Sequence, residues 1–513
     1  MYKMPVYQHI SVTILLVAIL SGCVSLPEEI KHPIEPIVTQ SISTLSQLID
    51  TYQPEEYKQE RSAVLLQETG WDALAQRLAL IETAEHSIDI QYYIWNADAS
   101  GNYLAKRLIA AADRGVQVRI MLDDINLNKR ENLLAALNLH PKIEVRIFNP
   151  IPSRRGLLKW LNVLTDFSRL NRRMHNKSFT VDGVISIVGG RNIGDEYFDL
   201  SDDINFRDRD VLVMGQVITD INASFRKYWN SRWSYPVELL ADKISSDLLL
   251  LSAVATPRYK DYPILPEGNS NANRFLQSLM GEMVWVKANF ISDKPVPVDS
   301  AITSEPKTTA RLLAELAQQS KQKILLESAY LIFDDRQLKS LQELTSKGIQ
   351  IKALTNSMAS NDLVTNHSGY AGRRNDMLDS GIQLFELKPD TTLCEQSTRD
   401  LSKCAPTGAY GLHAKSAVFD GQVTVIGSFN FNLRSTYLNT ESLLVIENQS
   451  IARSLTNNIE QAMNEDNSWR LNLHDGKVRW SSGKDIWEIE PETDLSNRIK
   501  SRLLQLLPIE KYL

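Results

Sequence analysis

The sequence predicts an α/β protein: two tandem α/β/α sandwich domains related by internal duplication, with one active site at their interface. Three observations carry this. At 513 residues the chain is too long for one ordinary hydrophobic core. Helical and strand-like periodicities alternate along both halves, the pattern of helices covering a mixed sheet. And "HNKSFTVDG", His175 to Gly183, returns as "HAKSAVFDG", His413 to Gly421, 238 residues downstream.

At the N-terminus, "MYKMPVYQHISVTILLVAILSGC" has Lys3 and then an apolar run from about Ile10 to Leu20. That run is shorter than the roughly 20 residues a spanning helix needs, so residues 1–22 read as a signal peptide. "LSGC", ending at Cys23, resembles the bacterial lipobox, whose cleavage leaves a lipid-bearing cysteine; the alternative is an ordinary signal peptide with an incidental cysteine. Val24 after the cysteine favours outer-membrane sorting, with the inner membrane left open. The expected location is the bacterial cell envelope, lipid-anchored and facing the periplasm. Residues 23–60, with Pro27, Pro33, Pro36 and Pro54, read as a tether holding one short helix in "TQSISTLSQLID".

The first domain is expected over 61–291. "GWDALAQRLALIETA" has helical spacing, "SIDIQYYIW" reads as a strand, "GNYLAKRLIAAADRG" as a helix stopped by Gly115, and "VQVRIMLDD" as a strand. A linker at 292–306, with "SDKPVPVDS", precedes the second domain at 307–470. There "KTTARLLAELAQQ", "QKILLESAYLIF", "DRQLKSLQELTSKG" and "IQIKALTNS" repeat helix, strand, helix and strand. Gly348 matches Gly115 at a separation of 233, so a whole unit of about 200 residues is duplicated rather than one motif. A C-terminal extension at 471–513 closes on the amphipathic "DLSNRIKSRLLQLLPIEKYL". Of the three cysteines, Cys394 and Cys404 remain once Cys23 is lipidated; a disulfide between them or two buried thiols are both open.

On a strand, His175 and Lys177 would share one face about 7 Å apart. Asp182-Gly183 reads as a turn, and the next strand ends in glycines and Asn192. His413, Lys415, the turn at Asp420-Gly421 and Asn430 repeat that order. Two histidines, two lysines and two asparagines converging from facing halves would form a cationic, donor-rich pocket suited to a phosphate diester. One imidazole can attack phosphorus while the other, on the far side, protonates the leaving alcohol and later deprotonates the acceptor. The lysines carry the charge, so no metal or cofactor is required.

These residues resemble the phospholipase D superfamily motif HxK(x)4D(x)6GSxN, and "HNKSFTVDGVISIVGGRNIGDEYF" with "NDLVTNHSGYAGRRNDMLDSGIQLFELK" resembles bacterial cardiolipin synthases of the C type. The first copy departs from the motif, with Gly189-Gly190 where the second has Gly427-Ser428, which puts one hydrogen bond on the phosphate or nucleophile side in doubt. The resemblance implies His175 as nucleophile and His413 as acid/base, with Lys177 and Lys415 beside them. It assigns Asp182 and Asp420 to the catalytic motif, though as holders of turn and strand geometry. It further implies a carboxylate behind each histidine: Glu441 behind one and Asp208 behind the other, with Asp210 as rival. His367, Tyr370 and Arg373 in "HSGYAGRR" would lie in a loop contacting the headgroup, or else begin a solvated helix. His32, His86, His140 and His474 have no partner pattern.

A net charge of -6 argues against a dedicated nucleic-acid binder, although the superfamily includes nucleases. In "SRRGLLKWLNVLTDFSRLNRRMHNK", Arg154, Arg155, Lys159, Arg169, Arg172, Arg173 and Lys177 face a single acid, Asp166, with leucines and Trp160 interleaved. That suits a helix lying on anionic lipid, or a surface helix packed on the core. Expected partners are phospholipid substrates (phosphatidylglycerol, or phosphatidylethanolamine) and a membrane surface, with nucleic acid disfavoured and no protein partner assigned. The likeness favours cardiolipin synthesis over phospholipase D hydrolysis, a nuclease or an idle scaffold.

Overall fold

The computed structural model describes residues 42–57, 60–125, 127, 131–151, 167–240, 254–257, 262–295, 305–398, 400–405, 408–507 and 510–513. The expected signal peptide, Cys23, most of the tether and the basic run from Arg154 to Asp166 lie outside them. The tether's predicted helix is present as Thr44–Tyr52, begun by Ser43, whose hydroxyl accepts from Ser46 N. No described helix is long and apolar enough to cross a membrane.

Strands of the first half are β1 (Ser62–Gln67), β2 (Ser87–Tyr92), β3 (Gln117–Asp123), β4 (Ile143–Phe148), β5 (Ser178–Val181), β6 (Ile185–Gly189), β7 (Ile204–Arg207), β8 (Asp210–Gly215) and β9 (Ser234–Pro236). Then follow β10 (Val284–Ser292), β11 (Lys323–Ser328), β12 (Gln350–Asn356), β13 (Gln383–Leu387), β14 (Ala409–Leu412), β15 (Lys415–Phe419), β16 (Val423–Gly427), β17 (Ser442–Glu447), β18 (Ser468–His474), β19 (Lys477–Ser482) and β20 (Asp485–Trp487). The first sheet runs β9-β4-β3-β2-β5-β6-β8-β1, with β2, β3 and β4 parallel and the rest antiparallel. The second runs β18-β13-β12-β11-β15-β16-β17-β10 with the same mixture of senses. The two orders superpose strand for strand.

That superposition moves the expected seam. β10 takes in the second half the place of β1 in the first, so the second unit starts near Val284, ahead of the 292–306 linker. β10 also joins the sheets: its first residues pair with β1 (Val64 opposite Val284) and the remainder with β17. The helix stops behave as expected, since Gly115 and Gly348 follow their helices at φ 102° and 89°, a conformation that a Cβ penalises.

Each half has its own core between sheet and helices, and a third core lies between the halves, where Val211 and Val213 of β8 meet Ile426, Leu444 and Ile446. The halves are therefore fastened by buried apolar surface. Charge is buried there too: Arg207 and Arg209 of the first half bind Glu327 of β11, which is fully buried. Single-partner removal in such a cluster strands a buried charge, so the cluster fixes how the halves face each other.

Candidate active site

Just before β5 the chain leaves its own sheet and pairs with the other half. Met174 bridges Thr440, and His175 N donates to Thr440 O at 2.9 Å. The His175 ring then sits with Nδ1 2.8 Å from Glu441 Oε2 and 2.9 Å from Ser428 O. Glu441 is itself fully buried and held by Ser428 Oγ at 2.5 Å and Ser435 Oγ at 2.7 Å, while its backbone N donates to Asp293.

The second motif mirrors this. β14 runs parallel to β7 across the interface, and His413 N and Ala414 N both donate to Arg207 O. His413 Nδ1 lies 2.5 Å from Asp208 Oδ2. The rival Asp210 is not behind a histidine: it pairs with Arg77 at 2.6 Å and accepts from Arg191 N. Each imidazole thus takes its carboxylate from the opposite half. The histidines were expected on strands, but β5 and β15 begin only after them, at Ser178 and Lys415. The reason is the crossing itself, because the backbone at each histidine is spent on the partner half.

The carboxylates set the tautomers. With Nδ1–H donating to Glu441 or Asp208, each Nε2 keeps a lone pair. Burial lowers His175 to about 4 despite the opposing pull of Glu441, with Lys177 adding to the fall. Burial and Lys415 lower His413 to about 3 against the pull of Asp208. For Asp208 burial pushes upward but His413 and Lys415 prevail, bringing it to about 2. Both rings are neutral at neutral pH before substrate binds.

Lys177 and Lys415 are buried, with Nζ of each donating to the carbonyl of its own motif histidine. Lys177 also lies over the Tyr93 ring at 5.4 Å. Burial lowers Lys177 to about 7 and Lys415 to about 8, each being drawn back up by carboxylates of both halves. Because Lys177 lowers Lys415's side of the site and is lowered by it, the two motifs share one electrostatic pocket.

Asn192 donates to Tyr197 OH at 3.0 Å and accepts from Ile94 N, which orients Tyr197 edge-on to His413 at 5.1 Å. Asn430 is buried with Oδ1 lacking a partner among the described residues, leaving one end of its amide for a ligand. The departure at Gly190 has a steric cause: a Cβ there would overlap Asp208 Oδ1. The shorter aspartate of one dyad comes with glycine, and the longer Glu441 comes with Ser428. The Ser428 hydroxyl therefore supports a carboxylate rather than a phosphate.

Asp182 and Asp420 stand outside the pocket, at the far ends of β5 and β15, with φ 50° and 51°. Asp182 accepts from the backbone N of Glu85, His86 and Ser87; Asp420 accepts from Lys321, Gln322 and Lys323. They fasten the hairpins to β2 and β11, as expected of holders of turn and strand geometry, so their place in the catalytic motif is structural. The headgroup loop, by contrast, is corrected. His367 and Tyr370 are buried on helix Val364–Asp379, His367 bonding Glu490 at 2.9 Å, and half-buried Arg373 pairs with Asp335 and Glu510. They dock the C-terminal extension, because the helix turns that face inward. Cys394 and Cys404 are bonded, with Cα atoms 5.8 Å apart, in the segment leading to β14.

Sequence reasoning missed the aromatic wall: Tyr93 edge-on to His175 at 4.8 Å, Tyr197 and Phe206 against His413. Tyr330 donates to Asp362, which acts electrostatically on Lys415. The recurring aromatic strand ends in "QYYIW" and "SAYLIF" were the available signal.

The family described as "Cardiolipin synthase, PLD-like domain" matches residues 78–229 and 313–463. Cardiolipin synthase C of Escherichia coli (strain K12) is 38% identical over 455 residues, 86% of this chain and 94% of that protein. An uncharacterized Helicobacter pylori (strain 26695) protein is 34% identical over 86% of this chain and 87% of its own. The crystal structure of a phosphatidylserine synthase from Haemophilus influenzae shares the fold, with TM-score 0.58 at 12% identity, covering 91% of this chain and 99% of that one.

Proposed function

The chain belongs to the PLD-like family of cardiolipin synthases and is a phosphatidyltransferase of that type, and from this premise we propose that it makes cardiolipin from phosphatidylglycerol and a second phospholipid through a phosphohistidine. The observation that carries the reading is the crossed pair of dyads, His175 with Glu441 and His413 with Asp208. Lys177 and Lys415 supply donors for the non-bridging oxygens.

His175 Nε2 attacks phosphorus of the donor lipid, forming a P–N bond as the P–O bond to the alcohol headgroup breaks. His413, protonated at Nε2 in the substrate complex, gives that proton to the departing oxygen. The anionic diester supplies the charge that lifts His413 from its low value in the free enzyme. Next the glycerol hydroxyl of phosphatidylglycerol attacks phosphorus, passing its proton to His413 Nε2. The P–N bond breaks and His175 returns neutral. We place the enzyme at the cell-envelope membrane, a reading supported by the Cys394–Cys404 bond, which suits an oxidising compartment.

The test is a lipid mass spectrum after incubating purified protein with phosphatidylglycerol, with and without phosphatidylethanolamine. Cardiolipin as the main product is expected. Phosphatidic acid as the main product would replace synthesis with hydrolysis, and intact lipids with cleaved single-stranded DNA would make the protein a nuclease.

A further inference from the structure

Helix Leu495–Gln505 is amphipathic the wrong way round for a helix in water. Its docked side, against helix Val364–Asp379, is polar: Ser501 is buried, Gln505 donates to Ser501 Oγ, and Gln505 lies over Gly372. The opposite side carries Leu495, Ile499, Leu503, Leu506 and Leu507, at spacings that share one face. These five are between 49% and 80% exposed. Of the fifteen exposed large hydrophobics among the described residues, seven lie in the C-terminal extension, the other two being Ile486 and Ile489. A contiguous apolar face of this kind marks an interaction surface.

Charge says what kind. On a chain of net charge -6, the helix bears Arg498, Lys500 and Arg502 and no acid between Leu495 and Gln505. Exposed Arg502 lies at one border of the apolar face and exposed Lys500 at the other, where long cationic side chains reach lipid phosphates while leucines enter the acyl boundary. The face is also joined to the reaction site. Beyond the helix, Leu513 O and Tyr512 O accept from Arg434, which donates to Asn171 of the first half and acts electrostatically on Glu441 and Tyr93.

We propose that the outward face of 495–507 inserts into the interface of an anionic phospholipid bilayer and seats the catalytic mouth at the headgroups. This rests on the lipid reading above, but its test does not depend on turnover. In full-length protein carrying Cys23→Ser, a fluorophore on Leu506→Cys should be quenched by brominated phosphatidylglycerol in reconstituted vesicles. The same label on exposed Ser278→Cys of helix Asn269–Glu282 should not be. Adding Ile499→Glu and Leu503→Glu should abolish the quenching at 506 and lower the rate on vesicles at least tenfold. The rate on detergent-dispersed lipid and the unfolding temperature should stay unchanged, since both side chains point away from the protein. An unquenched probe at 506 in the parent, or unchanged vesicle rates in the double variant, would overturn the proposal. So would a dimer that the double variant dissociates while vesicle rates persist, since the face would then join two copies. If quenching is seen but no lipid turns over, the surface stands and the enzymatic reading fails.

Discussion

At the scale of single residues, the buried lysines define the operating range. In the free enzyme, His175 near 4 must be neutral to attack, while Lys177 near 7 and Lys415 near 8 must be charged to hold phosphate. Because His413, near 3 in the free enzyme, must also carry a proton, kcat/KM should peak near pH 3–4 and decline as pH rises, more steeply above about pH 7 where Lys177 loses its charge. The bound diester raises both lysines, so the alkaline limb of kcat should lie at higher pH than that of kcat/KM. Lys177→Met, which removes a buried charge but keeps the volume, should lower kcat/KM at least about 100-fold while the unfolding temperature holds or rises. A stable, active methionine variant would remove Lys177 from the site. The two HxK pairs and the asparagines could be read from the sequence because repetition exposed them, and the two carboxylates only through the family resemblance. Tyr93 had only the recurring aromatic strand ends as a signal and Tyr197 and Phe206 had none, since an aromatic beside an imidazole and an aromatic in a core leave the same letter.

Among the elements, the hairpins are where motif and chemistry part. Asp182 accepts three amides that open β2, and its φ of 50° already costs any side chain with a Cβ. Asp182→Ala should lose about 2–3 kcal/mol of stability, read as a lowered unfolding temperature, with kcat within a few-fold of the parent in the folded fraction. A collapse of kcat without loss of stability would return the aspartate to the active site. Helices, their glycine stops and the turns at Asp182-Gly183 and Asp420-Gly421 were legible because each is decided within a few residues. The starts of β5 and β15 were not, because a pairing partner hundreds of residues away decides them. His367 and Tyr370 were misread for a related reason: helical spacing shows that a face exists, while Glu490 in the extension decides that it is buried.

For the whole molecule, duplication was legible from two separations, 233 and 238, and it implied facing halves. The crossing of the dyads was not legible, since nothing local in "NFRDRD" or "LNTES" says which histidine it will meet. The seam was misplaced because β10 belongs by topology to the second unit while pairing with the first. With Glu441 behind His175 and Asp208 behind His413, neither half holds a complete dyad alone, so the reaction belongs to the interface. The most direct measurement is to quench the protein in acid-free denaturant during turnover of labelled phosphatidylglycerol and map the adduct by peptide mass spectrometry. A phosphatidyl group on His175 of the parent protein, absent from His175→Ala, is the predicted result. Continued turnover in His175→Ala, with no adduct on either histidine, would contradict it.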